Sequence, residues 1–101
     1  MIRSHRTAEL RSLAFHRLVA GRLDDEVIAS ARVRVEGWIA HGGPVPATYA
    51  RRWRSLLARP PAYLAAALKE DTEEMRKLRQ NTPFAGTVSR EERWRIVREV
   101  R

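Results

Sequence analysis

The sequence predicts an all-α protein, a compact bundle of about five helices forming one domain over residues 1–101. Three observations carry that prediction. Apolar residues recur at a spacing near 3.6 along most of the chain. No stretch alternates with period two for long, so strands find no support. Glycine, proline and capping residues interrupt the periodic stretches at intervals that suit short helices.

The first helix is expected from about Thr7 to Leu23, with Leu10, Ala14 and Leu18 on one face and Leu13, Phe15 and Val19 flanking it. Asp24-Asp25-Glu26 then supplies an N-cap and an acidic first turn, which the positive end of the helix dipole favours. Val27, Ile28, Ala31, Val35, Trp38 and Ile39 fall within one arc of that second helix. His41-Gly42-Gly43-Pro44 ends it, through left-handed backbone at glycine and a proline that blocks continuation. A third helix, Ala47 to Arg59, buries Tyr49, Trp53, Leu56 and Leu57. Pro60-Pro61 breaks the chain and opens a fourth at its first turn, with Tyr63, Leu64 and Leu68. The segment Thr72 to Gln80 carries Met75 and Leu78, and Glu70-Asp71-Thr72 before it is either a break or a continuous surface turn. Residues Asn81 to Gly86 have loop chemistry. Ser89-Arg90-Glu91-Glu92 is a capping box for a last helix holding Trp94, Ile96, Val97 and Val100.

Composition excludes several classes of protein. The absence of cysteine removes disulfides and thiolate metal sites. No apolar run approaches the ~20 residues that span a bilayer, and Met1 to Arg6 lacks the apolar stretch of a signal peptide, so the cytoplasm is the expected address. The net charge of +8 comes from 18 Arg and 2 Lys against 12 acids, which favours an anionic partner or reflects only G+C-rich codon usage. Residues 1–22 and 44–61 each carry +4, and these two segments hold most of the excess.

No set of residues makes a convincing catalytic site, and no cofactor is implied. Arg11 and His16 match the Arg-x4-His pattern of HEPN ribonucleases, and Arg34 and His41 match with six intervening residues, in a chain where arginine is common enough for chance. Five helical positions also set Arg11 and His16 about 140° apart. His5, His16 and His41 have neither His-x3-His nor carboxylate-flanked spacing, so they read as surface histidines and no metal site is expected. There is no phosphate-binding glycine loop and no nucleophile elbow.

Binding is the better reading. On the third helix Arg51 and Arg54 point away from the apolar arc and Arg52 lies at its edge, a cationic strip suited to nucleic acid or to an ordinary solvated face. Arg11 falls inside the apolar arc of the first helix; it must reach water, pair with an internal acid or lie under a partner. In the loop Arg79, Gln80 and Asn81 surround Phe84, which either plugs the bundle end or anchors a partner.

Four stretches carry a resemblance: Arg11 to Arg17, Tyr49 to Leu57, Leu78 to Gly86, and Glu92 to Ile96. In these the chain resembles the small helical proteins encoded beside bacterial nucleotidyltransferase-fold toxins of the abortive-infection type. Asn81-Thr82 stands where two small hydroxyl residues are expected. The resemblance implies a bacterial antitoxin that binds the toxin and holds it inactive, with autoregulatory DNA binding as a second implied activity. On that reading Arg11, Arg79, Gln80, Asn81 and Phe84 are the candidate contacts to the protein partner, and Arg51, Arg52 and Arg54 those to nucleic acid. A DNA-binding regulator using the third helix and an HEPN-like ribonuclease remain the alternatives. A homo-oligomer is left open.

Overall fold

A computed structural model describes the main chain of residues 2–101 and side chains from residue 6 onward. The described residues form six α-helices and one short 3-10 turn, with no strand, so the bundle has one helix more than the sequence predicts. In chain order these are α1 (Ile2–Ala20), α2 (Asp25–His41), α3 (Ala47–Leu57), α4 (Pro61–Leu68), α5 (Glu73–Gln80) and α6 (Arg90–Glu99), with the 3-10 turn at Ala85–Thr87. The extra helix arises because Glu70-Asp71-Thr72 is a break: Thr72 caps α5 by accepting from the Met75 N–H at 3.2 Å. The Cα radius of gyration of 13.4 Å matches the ~13 Å of a folded 100-residue domain.

The caps act where the sequence places them. Asp24 accepts from the Val27 N–H, and Ser89 and Glu92 complete a reciprocal capping box on α6. Gly42 takes left-handed backbone at φ 63°, and a Cβ at Gly43 would come within 2.8 Å of the Trp38 ring. Ile28, Ala31 and Val35 are the buried centre of α2, with Val27, Trp38 and Ile39 packed beside them.

The first helix differs from expectation. Its buried residues are Leu13, His16 and Val19, while Leu10, Ala14 and Leu18 are half-buried. It packs against α4, α5 and α6 together, so it is covered on more than one side and no single stripe describes it.

Trp53 joins the two parts of the bundle. The α2–α3 pair meets α4 and α5 through α3, and Trp53 sits at that junction fully buried. Its indole N–H donates to the Leu78 carbonyl of α5 at 3.2 Å. Its ring meets Phe84 edge-to-face at 5.7 Å, an arrangement that the ring quadrupoles favour. The last helix has no buried residue, and Trp94 is 60% exposed, so one of the three tryptophans contributes little to the core. Polar bonds hold α6 antiparallel to α1. Arg22, just after α1, pairs with Glu92 near one end, and Arg11 reaches the carbonyls of Val97 and Val100 at the other, while Arg93 ties α6 to the 3-10 turn through the Ala85 carbonyl.

Phe84→Ala should lower stability by about 3–5 kcal/mol in urea unfolding, as expected for truncating a buried phenylalanine. A surface phenylalanine would change stability by less than about 0.5 kcal/mol.

Candidate functional site

The arginine strip of α3 is exposed, yet two of its three members reach the surface already engaged. Arg54 makes a two-pronged bond to Glu36 of α2, at 2.7 and 2.6 Å, and the guanidinium holds the Glu36 carboxyl below its usual range. Arg52 pairs with Glu74 of α5 at 2.8 Å. Arg51 is exposed with no acidic partner among the described residues. The turn from α2 to α3, residues 42–46, is longer than the 3–4 residues of a helix-turn-helix. The strip therefore presents less free charge than its sequence suggests.

Arg51 and Arg52 border a larger feature, an open groove of about 550 Å³ between α3, α4 and α5. Leu56, Ala67, Met75 and Leu78 line it with apolar surface, and Arg59 and Tyr63 stand at its α4 side. The Arg59 guanidinium lies over the Tyr63 ring at 4.0 Å from its centre, and Tyr63 is half exposed. Sequence reasoning overlooked Arg59 and Tyr63 as a pair. The signal was the intervening Pro60-Pro61, which starts α4 at a fixed angle and brings residues 59 and 63 one turn apart.

The loop expected to face a partner is largely internal. Phe84 is 1% exposed and packs on Trp53; it is a core residue, because its ring fills the end of the bundle rather than projecting from it. Arg79 is 3% exposed, and one guanidinium nitrogen donates to the carbonyls of Leu68, at 3.2 Å, and Glu70, at 2.6 Å. These bonds hold the α4–α5 break, so Arg79 too is structural rather than a surface contact. Its Nε is buried with no acceptor, and burial lowers the pKa of the guanidinium. Asn81 is half-buried and its amide donates to the Lys77 carbonyl; Gln80 alone of the four is fully at the surface.

His16 is buried, contrary to the surface position its sequence suggests. Its ring is held by a one-way chain of hydrogen bonds. The Phe84 N–H donates to Thr82 Oγ1 at 3.1 Å, the Thr82 hydroxyl donates to His16 Nε2 at 2.9 Å, and His16 Nδ1–H donates to the Ser12 carbonyl at 2.7 Å. The carbonyl must accept, which places a proton on Nδ1; the lowered pKa then leaves Nε2 unprotonated, so it accepts from Thr82 and the ring is neutral near pH 7. Desolvation, aided by the Arg79 charge, holds its pKa down to about 4 despite the bond to Ser12. With both nitrogens engaged, the ring is poorly placed to exchange protons with a substrate near neutral pH.

Arg11 and His16 both border one cleft. Its guanidinium takes neither an acid nor a solvent-facing role. Nε donates to the Val100 carbonyl at 2.8 Å and Nη2 to that of Val97 at 3.1 Å, a cation at the negative end of α6. Arg34 and His41 are exposed two turns apart on α2, and the side chain of His5 lies outside the described residues. Among the described residues no group of three or more acidic, histidine or cysteine side chains could hold a metal ion. No described helix is long and apolar enough to cross a membrane.

The folded pKa of His16 lies below its unfolded value of about 6.5, so its neutral burial stabilises fully above that pH and is lost as pH falls toward 4. Between pH 7 and pH 5 the loss should be about 2 kcal/mol, measurable by urea unfolding. The window lies above most carboxylate titration. A His16→Gln variant should be less stable overall and lose most of the dependence on pH between 7 and 5. Set against known proteins, the chain matches no protein-family model, no curated protein and no solved structure.

Proposed function

We propose that this chain is an antitoxin-like binding protein that covers a nucleotidyltransferase-fold partner in the bacterial cytoplasm, with the α3–α5 groove as its contact surface. The groove carries the reading: it is an open trough with an apolar floor and a polar rim that includes Glu70 and Glu74, and the rim offers Arg51, without an acidic partner among the described residues, and Arg59 stacked on Tyr63. Arginine and tyrosine beside apolar surface are the residue types that dominate binding energy at protein interfaces. The net charge of +8 suits an acidic counterpart, and a nucleotidyltransferase active site uses carboxylates to hold metal and nucleotide. The resemblance in the Arg11, Tyr49 and Leu78 stretches supports the class of partner.

The contact surface thus moves from the Phe84 loop and the outward α3 strip to the groove beside that strip. Arg51 and Arg52 belong to it, whereas Arg54 is directed to Glu36.

Co-expression with a nucleotidyltransferase-fold protein encoded beside this chain should yield a complex and relieve that protein's toxicity. Arg51→Glu combined with Tyr63→Ala should weaken the complex by about 100-fold, since each anchor is worth roughly 1–2 kcal/mol, while thermal unfolding of the free chain changes little. Absence of a complex, with toxicity unrelieved, overturns the reading.

A further inference from the structure

A second cleft, about 300 Å³, lies between α1, the 82–85 segment and α6, away from the groove. Phe15, Ala85, Ile96 and Val97 give it mostly apolar walls. Arg11, Arg79 and Arg93 border it, and among the described residues no carboxylate does. Each guanidinium is bonded to main-chain carbonyls rather than to an acid: Arg11 to Val97 and Val100, Arg79 to Leu68 and Glu70, Arg93 to Ala85. Carbonyls satisfy donors without cancelling charge; Asp71 and Glu9 act on Arg79 from outside the cleft, whereas Arg11 and Arg93 face it with no carboxylate among its described walls.

Arg79 adds an independent observation. It is almost wholly buried, and its Nε–H has no acceptor. A buried donor without a partner is uncommon and unfavourable, and an anion nearby would offset both the charge and the missing bond. His16, whose ring borders the same cleft, is neutral and so adds no fourth cation near neutral pH.

We propose that this cleft is a ligand site for a small apolar carboxylate, with the ring or alkyl body against Phe15, Ile96 and Val97 and the carboxylate toward the arginines. The size sits at the lower end of ligand pockets, roughly 300–1,000 Å³, so it admits one ring with a short acid chain. A nucleotide or free phosphate needs more polar surface than these walls offer. The site does not depend on the partner proposed for the α3–α5 groove.

The test is an NMR titration of the full chain with 3-phenylpropionate and, separately, with its uncharged amide 3-phenylpropanamide. The acid should shift resonances of Phe15, His16, Ile96 and Val97 and bind about tenfold more tightly than the amide, since the difference is a charge-assisted contact. It should also raise the pKa of His16, a signature that binding elsewhere would not produce. Arg93→Gln should weaken the acid about tenfold, whereas Arg95→Gln, an equal change of charge on α6 outside the cleft, should leave it unchanged. Equal binding of acid and amide, equal effects of the two substitutions, or no shift at these residues with about 10 mM acid would overturn the proposal.

Discussion

Short helices end often, and every end leaves main-chain carbonyls that need donors. The described residues form six helices of 8–19 residues, and at three of the six C-termini, those of α3, α4 and α6, arginine side chains meet that constraint. Arg32 donates to the Leu57 carbonyl at the end of α3, Arg79 to Leu68 and Glu70 after α4, and Arg11 to Val97 and Val100 at the end of α6. A guanidinium suits the task because its fork of donors reaches two carbonyls at once and its charge complements the negative helix end. Exposed ion pairs such as Arg52–Glu74 add little by comparison, about 0–1 kcal/mol each. Part of the arginine content is therefore architecture. What is left for partners is a smaller set of cations, and their positions matter more than the total.

That distinction explains which parts of the molecule were legible in the sequence. The second helix was, because its apolar arc faces one neighbour and its caps are local: Asp24 to Val27 at the start, Gly42 and Gly43 against Trp38 at the end. The capping box of α6 was legible for the same reason. The first helix was not, because three neighbours cover it and its buried face runs through His16. A histidine on such a face looks like a surface residue until its hydrogen-bond partners are known, and Thr82 lies 66 positions away in the chain. Arg11 was visible as an anomaly, a cation inside an apolar arc, whereas Arg79 reads only as one polar residue at the start of a loop. Their partners are carbonyls at distant helix ends, which carry no side-chain signature.

The outward-facing charge of the Arg51 segment was legible in the sequence, since Arg51, Arg52 and Arg54 are all exposed; the groove that Arg51 and Arg52 edge was not, because its other wall comes from α4 and α5. Phe84 was marked as distinctive, and it is; its distinction lies in closing the core on Trp53. The loop residues thus shape the molecule, and the groove is left as the surface where apolar area, an aromatic ring and unpaired cations coincide. That combination, more than net charge, is what a protein partner with acidic groups would recognise.

Hydrogen–deuterium exchange on the full chain, alone and with a nucleotidyltransferase-fold protein of the kind proposed as its partner, tests this account most directly. The account predicts slowed exchange across residues 51–59 and 63–75, the walls of the groove, with α2 unchanged. Protection confined to α2 or α6, or none at any concentration of partner, would contradict it.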